Sequence, residues 1–483
     1  MQVAVGVEGA FSTTDSGLWT RLRIEEGLPS RRPAPTYNPT EDLAEMALQT
    51  EAECLLDTGA LYGVRVMLRP AQGDPIFAGF KQGAFSLYYG DGPIYHFDRE
   101  GRWQRAFIHG IHYLKGLDTT IQAIDRVREG VNMVLKRRTL FFAEASDLDA
   151  SVRATALDLL DALTAGRLER VDPPSKAQPL STDMLCNFLE RIVEWDATAW
   201  FAHREKYVAT YGVLPFLPPD SQNSLILQAT LGHADGIVFG GGSAAPYYQR
   251  TSDEFATHTR EVVKLFGQRR LQYRNIFLAG SDVLRLPSEA VATFLETIAR
   301  SELCAPSGGV RDFSEPSPRL EAVHAFLDNM APPRPSVEQW RTYRQLQLRR
   351  VVLGVESGDP TVRGLYRKTW ENHDLVALVS DLKQADLAVG LMVLVDAGGA
   401  EHAERHLAAT VDLINTLELG KGDIVSLLDA NEFRDPEQPV PSFAPLVGLR
   451  WTEQQAALKH ALLPLRSNRG VKVVPYSLEK QGL

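Results

Sequence analysis

The chain has 483 residues, of which 44% are hydrophobic and 23% charged, and this composition indicates globular domains and excludes a disordered chain. At roughly 100 to 200 residues per domain, the length predicts two domains, or three. A formal net charge of -10 argues against nucleic acid as a partner, because nucleic-acid binders carry basic patches that displace phosphate counterions.

The cysteines indicate the compartment. Cys54, Cys186 and Cys304 are odd in number and far apart, which predicts a reducing environment, no disulfide framework and no metal-ligand motif. The N-terminus lacks the basic start and long apolar core of a signal peptide. The best apolar run, 387–395, is shorter than the ~20 residues that span a bilayer. We therefore expect a cytoplasmic protein without a membrane partner.

The pattern of residues 1–212 predicts an N-terminal α+β domain. Apolar residues that recur at three and four positions predict helices at 43–56, 148–163 and 182–197. Between the first two, short aromatic and β-branched runs are separated by Gly, Asp and Pro, which is typical of a small antiparallel β-meander. Its strands are predicted at 85–89, 94–97, 103–108 and 111–114. No function is indicated for this domain.

The proline-rich segment 213–222 predicts the boundary to a second domain, residues 213–483, which includes a C-terminal extension. Short apolar runs then alternate with amphipathic helical runs, which predicts a parallel sheet covered by helices and hence a complete or partial β/α barrel. Strands are predicted at 225–229, 274–278, 351–355, 389–395 and 423–428. Helices are predicted at 252–266, 288–301, 320–330, 372–384 and 403–417. Ligands of such folds bind at the carboxyl ends of the strands.

Four phrases in this second domain extend from a predicted strand into the loop that follows it. They are LILQATLGHADGIVFGGGSAAPYYQR at 225–250, NIFLAGSDVLRLP at 275–287, VVLGVESGDPTVRGLYRKTW at 351–370 and LMVLVDAGGAEHAERHLAATVDLIN at 391–415. In order and spacing they resemble an uncharacterised branch of the radical S-adenosylmethionine (radical SAM) superfamily, whose core is a partial β/α barrel. The resemblance covers roughly residues 213–483.

The resemblance implies a set of residues that would contact S-adenosylmethionine. They are Phe239, Gly280, Asp282, Gly354, Glu356 and Ser357. For Glu356, pairing with a nearby arginine is an equally open interpretation. The glycine pair Gly398 and Gly399 is typical of a tight turn rather than of a ligand contact.

The same resemblance predicts a lost iron–sulfur site. In the superfamily the first of these loops carries a CxxxCxxC motif whose thiolates hold a [4Fe–4S] cluster, and here those positions are His233, Ile237 and Gly240. Soft anionic sulfur is what stabilises such clusters, and of the three substitutes only histidine can ligate a metal. We therefore expect no cluster, and no radical chemistry by this chain alone.

A second candidate metal site lies on a predicted helix. His402 and His406 are four residues apart, as in zinc sites, but the order AEHAERH departs from HExxH, and a solvated or capping role is favoured. No Ser-His-Asp elbow and no phosphate-binding loop is present in the sequence.

Three functions stay open at this point. The favoured one is a degenerate radical-SAM-like protein that keeps the barrel, binds S-adenosylmethionine or another small ligand, or acts as the partner of an intact radical SAM relative. One alternative is an enzyme that uses His233, Glu356, Asp396 or the histidine pair on the helix for proton transfer or a mononuclear metal. The other is an interaction protein led by residues 1–212.

Overall fold

The computed structural model describes residues 64–81, 84–129, 132–171, 178–212, 214, 217, 221, 224–232, 247–280, 283–303, 321–429 and 449–476. These residues form a ten-stranded sheet, a seven-stranded sheet and a two-stranded ribbon. The predicted helix at 43–56 lies outside the described residues. Among the described helices, none combines the length and apolar character needed to cross a membrane.

The ten-stranded sheet is mostly antiparallel, and eight of its strands follow one another as a meander. They are β1 Val64–Pro70, β2 Ile76–Lys81, β3 Ala84–Tyr89, β4 Ile94–Phe97, β5 Trp103–Ile108, β6 Ile111–Lys115, β7 Ile121–Glu129 and β8 Asn132–Thr139. The other edge of β1 pairs with two short strands, β9 Leu168–Val171 and β10 Gln178–Pro179. The predicted meander is confirmed, and the sheet continues beyond it in both directions.

Three helices accompany this sheet, namely α1 Phe142–Thr164, α2 Thr182–Val193 and α3 Ala197–Tyr211. Phe188 of α2 packs against Phe80 and Phe85 of the sheet, with ring centroids 4.9 and 4.5 Å away. The helix predicted at 182–197 ends earlier, at Val193, and a second helix begins at Ala197. The Asp196 side chain accepts the Ala199 N–H at 2.8 Å and so begins α3 as its N-cap.

The seven-stranded sheet is parallel throughout, and its strands are neighbours in chain order. They are β11 Ser224–Gln228, β14 Asn275–Ala279, β15 Ala322–Leu327, β16 Leu348–Glu356, β17 Ala388–Leu394, β18 Ile424–Leu428 and β19 Lys472–Pro475. Strands β12 Thr230–Leu231 and β13 Tyr248–Gln249 form the ribbon. A consecutive parallel order is that of a β/α barrel and differs from a doubly wound sheet.

Eight helices belong to this half of the described chain. They are α4 Ser252–Phe266, α5 Ser288–Arg300, α6 Val337–Gln345, α7 Pro360–Leu365, α8 Asn372–Gln384, α9 Gly399–Thr416, α10 Leu449–Ala461 and α11 Leu463–Arg469. The five predicted strands are confirmed to within a few residues. Strand β19, in the region predicted as a C-terminal extension, was not predicted.

One predicted helix, 320–330, is wrong, because strand β15 occupies this place. All six residues of β15 are buried, and it pairs with β14 on one side and β16 on the other. A short run that is apolar on every side does not distinguish a buried strand from a buried helix by periodicity. The two parallel neighbours supply the backbone hydrogen bonds that decide the conformation.

Buried polar bonds join the two halves of the chain. Arg102 is 3% exposed and donates from its guanidinium to the carbonyls of Leu265 and Phe266, at 2.8 and 2.7 Å. It thereby places a cation at the carboxyl end of α4, where the helix dipole favours positive charge. The Tyr211 hydroxyl donates to the Ile226 carbonyl at 2.9 Å. The domain boundary at residue 212 stays a prediction.

Candidate functional site

The candidate site is the edge of the parallel sheet at which the strands end. Since all seven strands run in one direction, the residues that follow them meet at the same edge. Gly280 follows β14, Asp328 follows β15, Glu356 ends β16, and Asp396 and Asp429 come shortly after β17 and β18. Acidic side chains therefore concentrate at the strand ends, where folds of this type place their chemistry.

A buried ion cluster lies at the centre of this edge. The Lys368 ammonium donates to Asp328 Oδ1 at 2.6 Å and to the Gly354 carbonyl at 2.7 Å, and it forms an ion pair with the Glu356 carboxylate. Lys368, Asp328 and Glu356 are 6, 2 and 3% exposed. A Cβ on Gly354 would overlap Asp328 Oδ1 and lie 2.8 Å from Lys368 Nζ. Glycine at 354 is therefore what makes room for the cluster.

The cluster combines one ammonium with two carboxylates, so full ionisation would leave a buried negative charge. Burial raises the pKa of Glu356 to about 7, and the nearby Lys368 opposes this only in part. Burial alone would lower the pKa of Lys368, but Asp328 and Glu356 outweigh it and raise that pKa. Lys368 therefore stays charged, and Glu356 is the carboxylic acid that takes up a proton near neutrality.

Glu356 also has an unusual backbone conformation. Its φ of 53° lies in the left-handed region, which non-glycine residues rarely adopt, and the register of β16 against β17 shifts between Gly354 and Glu356. Such strain costs on the order of 1–3 kcal/mol and persists only where surrounding contacts hold it. Here the ion pair with Lys368 holds the side chain inside the sheet edge.

The turn after Glu356 is fixed by helix α9. Ser357 Oγ lies 2.8 Å from His406 Nδ1, and the Gly358 N–H donates to Thr410 Oγ1 at 2.8 Å. A Cβ on Gly358 would overlap the Ala409 carbonyl oxygen, so the turn lies directly against the helix backbone. Ser357 is wholly buried and is held by these contacts.

Arg363 closes the same turn from the other side. Its guanidinium lies 4.1 Å from the centre of the Trp370 ring and donates to the Ser357 carbonyl at 3.0 Å. Asp359 caps α7, with its carboxylate accepting the Thr361 N–H at 2.8 Å. Contacts with other residues of the chain therefore fix nearly every residue of the segment GVESGDP.

The prediction of a solvated or capping role for the histidines on α9 is wrong for His406. His406 is 0% exposed, and burial lowers its pKa to about 4, so the imidazole is neutral at physiological pH. His402, one turn earlier, packs with its Cβ against Gly398. Within the described ranges, no group of three or more His, Cys, Asp or Glu residues is arranged to hold a metal ion.

Gly280 lies where the ends of β11 and β14 meet. It has a φ of 129°, and a Cβ there would overlap the hydroxyl of Thr230, which is the second residue after β11. Glycine is therefore required for the close approach of these two strand ends. Gly398, with a φ of 76°, ends the turn before α9 as its N-cap, and Gly399, with a φ of 64°, is the first residue of the helix.

Five of the predicted positions lie outside the described residues, namely His233, Ile237, Phe239, Gly240 and Asp282. Gly354, Glu356 and Ser357 are brought together, and Gly280 lies at the same edge. The sequence interpretation did not include Asp328 or Arg363 in the site. A carboxylate directly after a buried apolar run was the available signal for Asp328, and the misassigned helix at 320–330 concealed it.

The donor set of the described residues does not fit a [4Fe–4S] cluster. Cys186 is the single cysteine among them, and it lies on α2 beside the antiparallel sheet, where burial raises the pKa of its thiol. Cys54 and Cys304 lie outside the described residues. Residues 232–247 of the sequence contain no cysteine. Iron–sulfur clusters need several thiolates at one place.

No protein-family model matches the sequence, and no curated protein matches it either. Several solved structures of radical SAM enzymes are similar to the chain. The radical S-adenosylmethionine methyltransferase TsrM from Kitasatospora setae, with cobalamin and a [4Fe-4S] cluster bound, is 15% identical over 52% of this chain and 54% of its own, with a TM-score of 0.34. HydG, a maturase of the [FeFe]-hydrogenase, is 12% identical over 66% and 65%, with a TM-score of 0.35.

Coproporphyrinogen III oxidase (HemN) from Escherichia coli, a radical SAM enzyme, is 11% identical over 50% of this chain and 52% of its own, with a TM-score of 0.33. The chain thus spans about half to two thirds of the length of these structures. At such identities and TM-scores the similarity carries no information on activity. The function is argued below from the residues of this chain.

Proposed function

We propose that the chain is a degenerate radical-SAM-like protein that keeps the β/α domain and holds no [4Fe–4S] cluster. One observation carries the proposal. The loop that in the resembled superfamily supplies three thiolates has none between residues 232 and 247, and His233, Ile237 and Gly240 stand at the ligand positions. A histidine, an isoleucine and a glycine cannot replace the sulfur ligands of a cluster. We therefore assign no radical step to this chain.

The arrangement of the strand ends supports a non-catalytic role. Glu356 and Ser357, which the resemblance implies as ligand contacts, are buried and already bonded to Lys368 and His406. In the superfamily the cluster also binds the cofactor, so its loss weakens binding. A loss of ~3 kcal/mol corresponds to more than a hundredfold in Kd. We propose that the chain binds a small ligand without transforming it or acts as the partner of an intact radical SAM relative.

Anaerobic reconstitution with iron and sulfide tests this proposal. We expect the full chain to retain less than stoichiometric iron and sulfide after removal of excess reagent. The matched variant is the triple substitution His233→Cys, Ile237→Cys and Gly240→Cys, which restores the CxxxCxxC spacing. Stoichiometric iron and acid-labile sulfide in the unsubstituted chain would overturn the proposal. They would show that the chain holds a cluster although it has neither the three cysteines nor another cysteine motif.

The pKa of Glu356, about 7, favours a second candidate, an enzyme that uses the strand-end carboxylates for proton transfer. A group poised near neutrality at this edge of a β/α fold is the arrangement that general acid-base catalysts use. The two candidates differ in access. A non-catalytic role predicts that a carboxyl-reactive carbodiimide leaves Glu356 unmodified in the folded chain. An acid-base site that is open to substrate predicts instead that Glu356 is fully modified by the carbodiimide when a nucleophile is present in excess.

Metal content separates the candidates further. The first predicts no stoichiometric zinc, iron or manganese in protein purified without chelator. An enzyme with a mononuclear metal held by His233, Asp396 or the α9 histidines predicts about one metal per chain. The division into domains at residue 212, the cytoplasmic location and the lack of a nucleic-acid or membrane partner also remain predictions of the sequence.

A further inference from the structure

The hairpin of β7 and β8 differs in charge from the rest of the molecule. Residues 121–139 contain five basic and two acidic side chains, whereas the whole chain has a net charge of -10. The basic ones are Arg126, Arg128, Lys136, Arg137 and Arg138. All but Arg137, which is half-buried, are exposed. The β7–β8 register places Arg126, Arg128 and Arg137 on one face of the hairpin and Lys136 and Arg138 on the other, so the net positive charge is spread over both faces. A positively charged segment on an acidic protein attracts partners of opposite charge.

Strand β8 is also the last strand of its sheet. It is eight residues long and pairs with β7 along one side, and within the described part of the chain no strand pairs with its other side. An edge strand presents a row of backbone N–H and C=O groups that a further strand can bind. The edge is long enough for an extended peptide of about the same length.

Two adjacent aromatic rings follow the end of β8. Phe141 and Phe142 are 79 and 81% exposed, more than any other large hydrophobic side chain in the described residues. The backbone at Phe141 is fixed, because its N–H donates to the Glu144 carboxylate at 3.1 Å at the start of α1. The same carboxylate binds Arg138 of β8 through two contacts of 2.8 and 2.9 Å. Aromatic side chains are enriched in protein interfaces and among the residues that contribute most to binding.

We propose that the β8 edge together with Phe141 and Phe142 is a docking surface for an acidic, extended segment of a partner protein. The segment adds as a strand to β8, its carboxylates lie against the basic hairpin, and its apolar side chains cover the two rings. A second copy of this chain fits poorly, because two β8 edges would bring their basic residues together. An anionic lipid surface satisfies the charge but leaves the backbone groups of the edge unpaired.

This inference is independent of the proposal that the cluster is lost. Its test uses the full chain and biotinylated ten-residue peptides in which Asp or Glu alternates with a mixture of Val, Ile, Leu and Phe. We expect these peptides to bind, and matched peptides with Lys in place of the acids not to bind. Methylation of alternate backbone nitrogens should abolish binding, because strand addition needs those N–H groups whereas charge attraction alone does not.

Variants locate the site. Lys136→Glu with Arg137→Glu should weaken peptide binding by about tenfold or more, since close opposite charges contribute on the order of 1.4 kcal/mol. The control is Arg300→Glu on α5, whose side chain is 80% exposed and lies in the other half of the chain. It should leave the affinity within about twofold.

The aromatic contribution is tested in the same assay. Phe141→Ala with Phe142→Ala should weaken binding about tenfold, whereas Phe201→Ala, at a 63% exposed ring on α3, should not. The proposal is overturned if the acidic peptides do not bind, if the N-methylated peptides bind equally, or if the control variants lose as much affinity. Binding to phosphatidylserine vesicles alone, lost in the same variants, would assign the surface to a membrane instead.

Discussion

Replacing Lys368 by methionine perturbs the buried ion cluster most sharply. Methionine keeps an unbranched side chain of similar volume but removes the ammonium that neutralises Asp328 and Glu356, both of which are buried. Breaking a buried ion pair by removing one partner costs about 3–5 kcal/mol. Glu356 has a pKa of about 7, so it can become neutral at lower pH and reduce that cost. Loss of the ammonium raises that pKa further, so the two chains differ in the protonation of Glu356 only above about pH 7. We therefore expect a loss of ~3 kcal/mol in unfolding free energy near pH 6 and about 1.4 kcal/mol more near pH 8.

Urea unfolding followed by tryptophan fluorescence at the two pH values measures this loss. The matched control is Arg300→Met, which removes the pair with Glu296 on the surface, where the side chains are 80 and 43% exposed. Such pairs contribute about 0–1 kcal/mol. Adding Glu356→Gln to Lys368→Met should restore part of the stability at high pH. If Lys368→Met lowered the unfolding free energy no more than the control does, the ion cluster would not stabilise the edge of the sheet.

Three further predictions follow from the same region. Gly354→Ala should destabilise by ~1–3 kcal/mol in thermal unfolding, because its Cβ would overlap Asp328, whereas Gly364→Ala, with open space around the Cβ, should cost nothing. Equal effects would contradict the steric argument. His406 is neutral in the folded chain with a pKa of about 4 against 6.5 unfolded, so its contribution is present above pH 6.5 and is lost as pH falls toward 4. The loss amounts to about 3 kcal/mol, and urea unfolding of His406→Gln should lack that part of the pH dependence. Arg102→Met should destabilise by about 2–4 kcal/mol and increase amide hydrogen exchange at the carboxyl end of α4, and unchanged exchange there would refute its capping role.

Much of the parallel sheet could be predicted because each of its central strands is a short buried run closed by a turn. The exceptions have physical causes. Strand β15 is buried on every side, so its periodicity matches a helix equally well, and only its pairing with β14 and β16 decides the conformation. Strand β19 has four residues, all of them exposed or half-buried, so its sequence is too short and too polar in environment to be recognised as a strand. The charged β7 and β8 hairpin likewise lacks the apolar alternation that marks a strand.

The candidate site could be predicted where its residues belong to one segment of the sequence. It could not be predicted where a residue depends on contacts with residues far away in the chain. Gly354, Glu356 and Ser357 lie within four consecutive positions of the sequence, so their proximity needs no tertiary contact, and their role as ligand contacts stays a prediction. His406 was judged by its neighbours on the helix, but its partner Ser357 is 49 residues away in the chain. For Glu356 the sequence left open a ligand or an arginine, and the structure gives a lysine, Lys368, as the partner.

The loss of the iron–sulfur site is the central claim, and a Mössbauer spectrum of the full chain reconstituted with isotopically enriched iron tests it most directly. We predict a spectrum of unbound or adventitious iron, without the signal of a [4Fe–4S] cluster, because residues 232–247 include no cysteine to supply a thiolate. A cluster signal that accounts for four irons per chain would contradict the account.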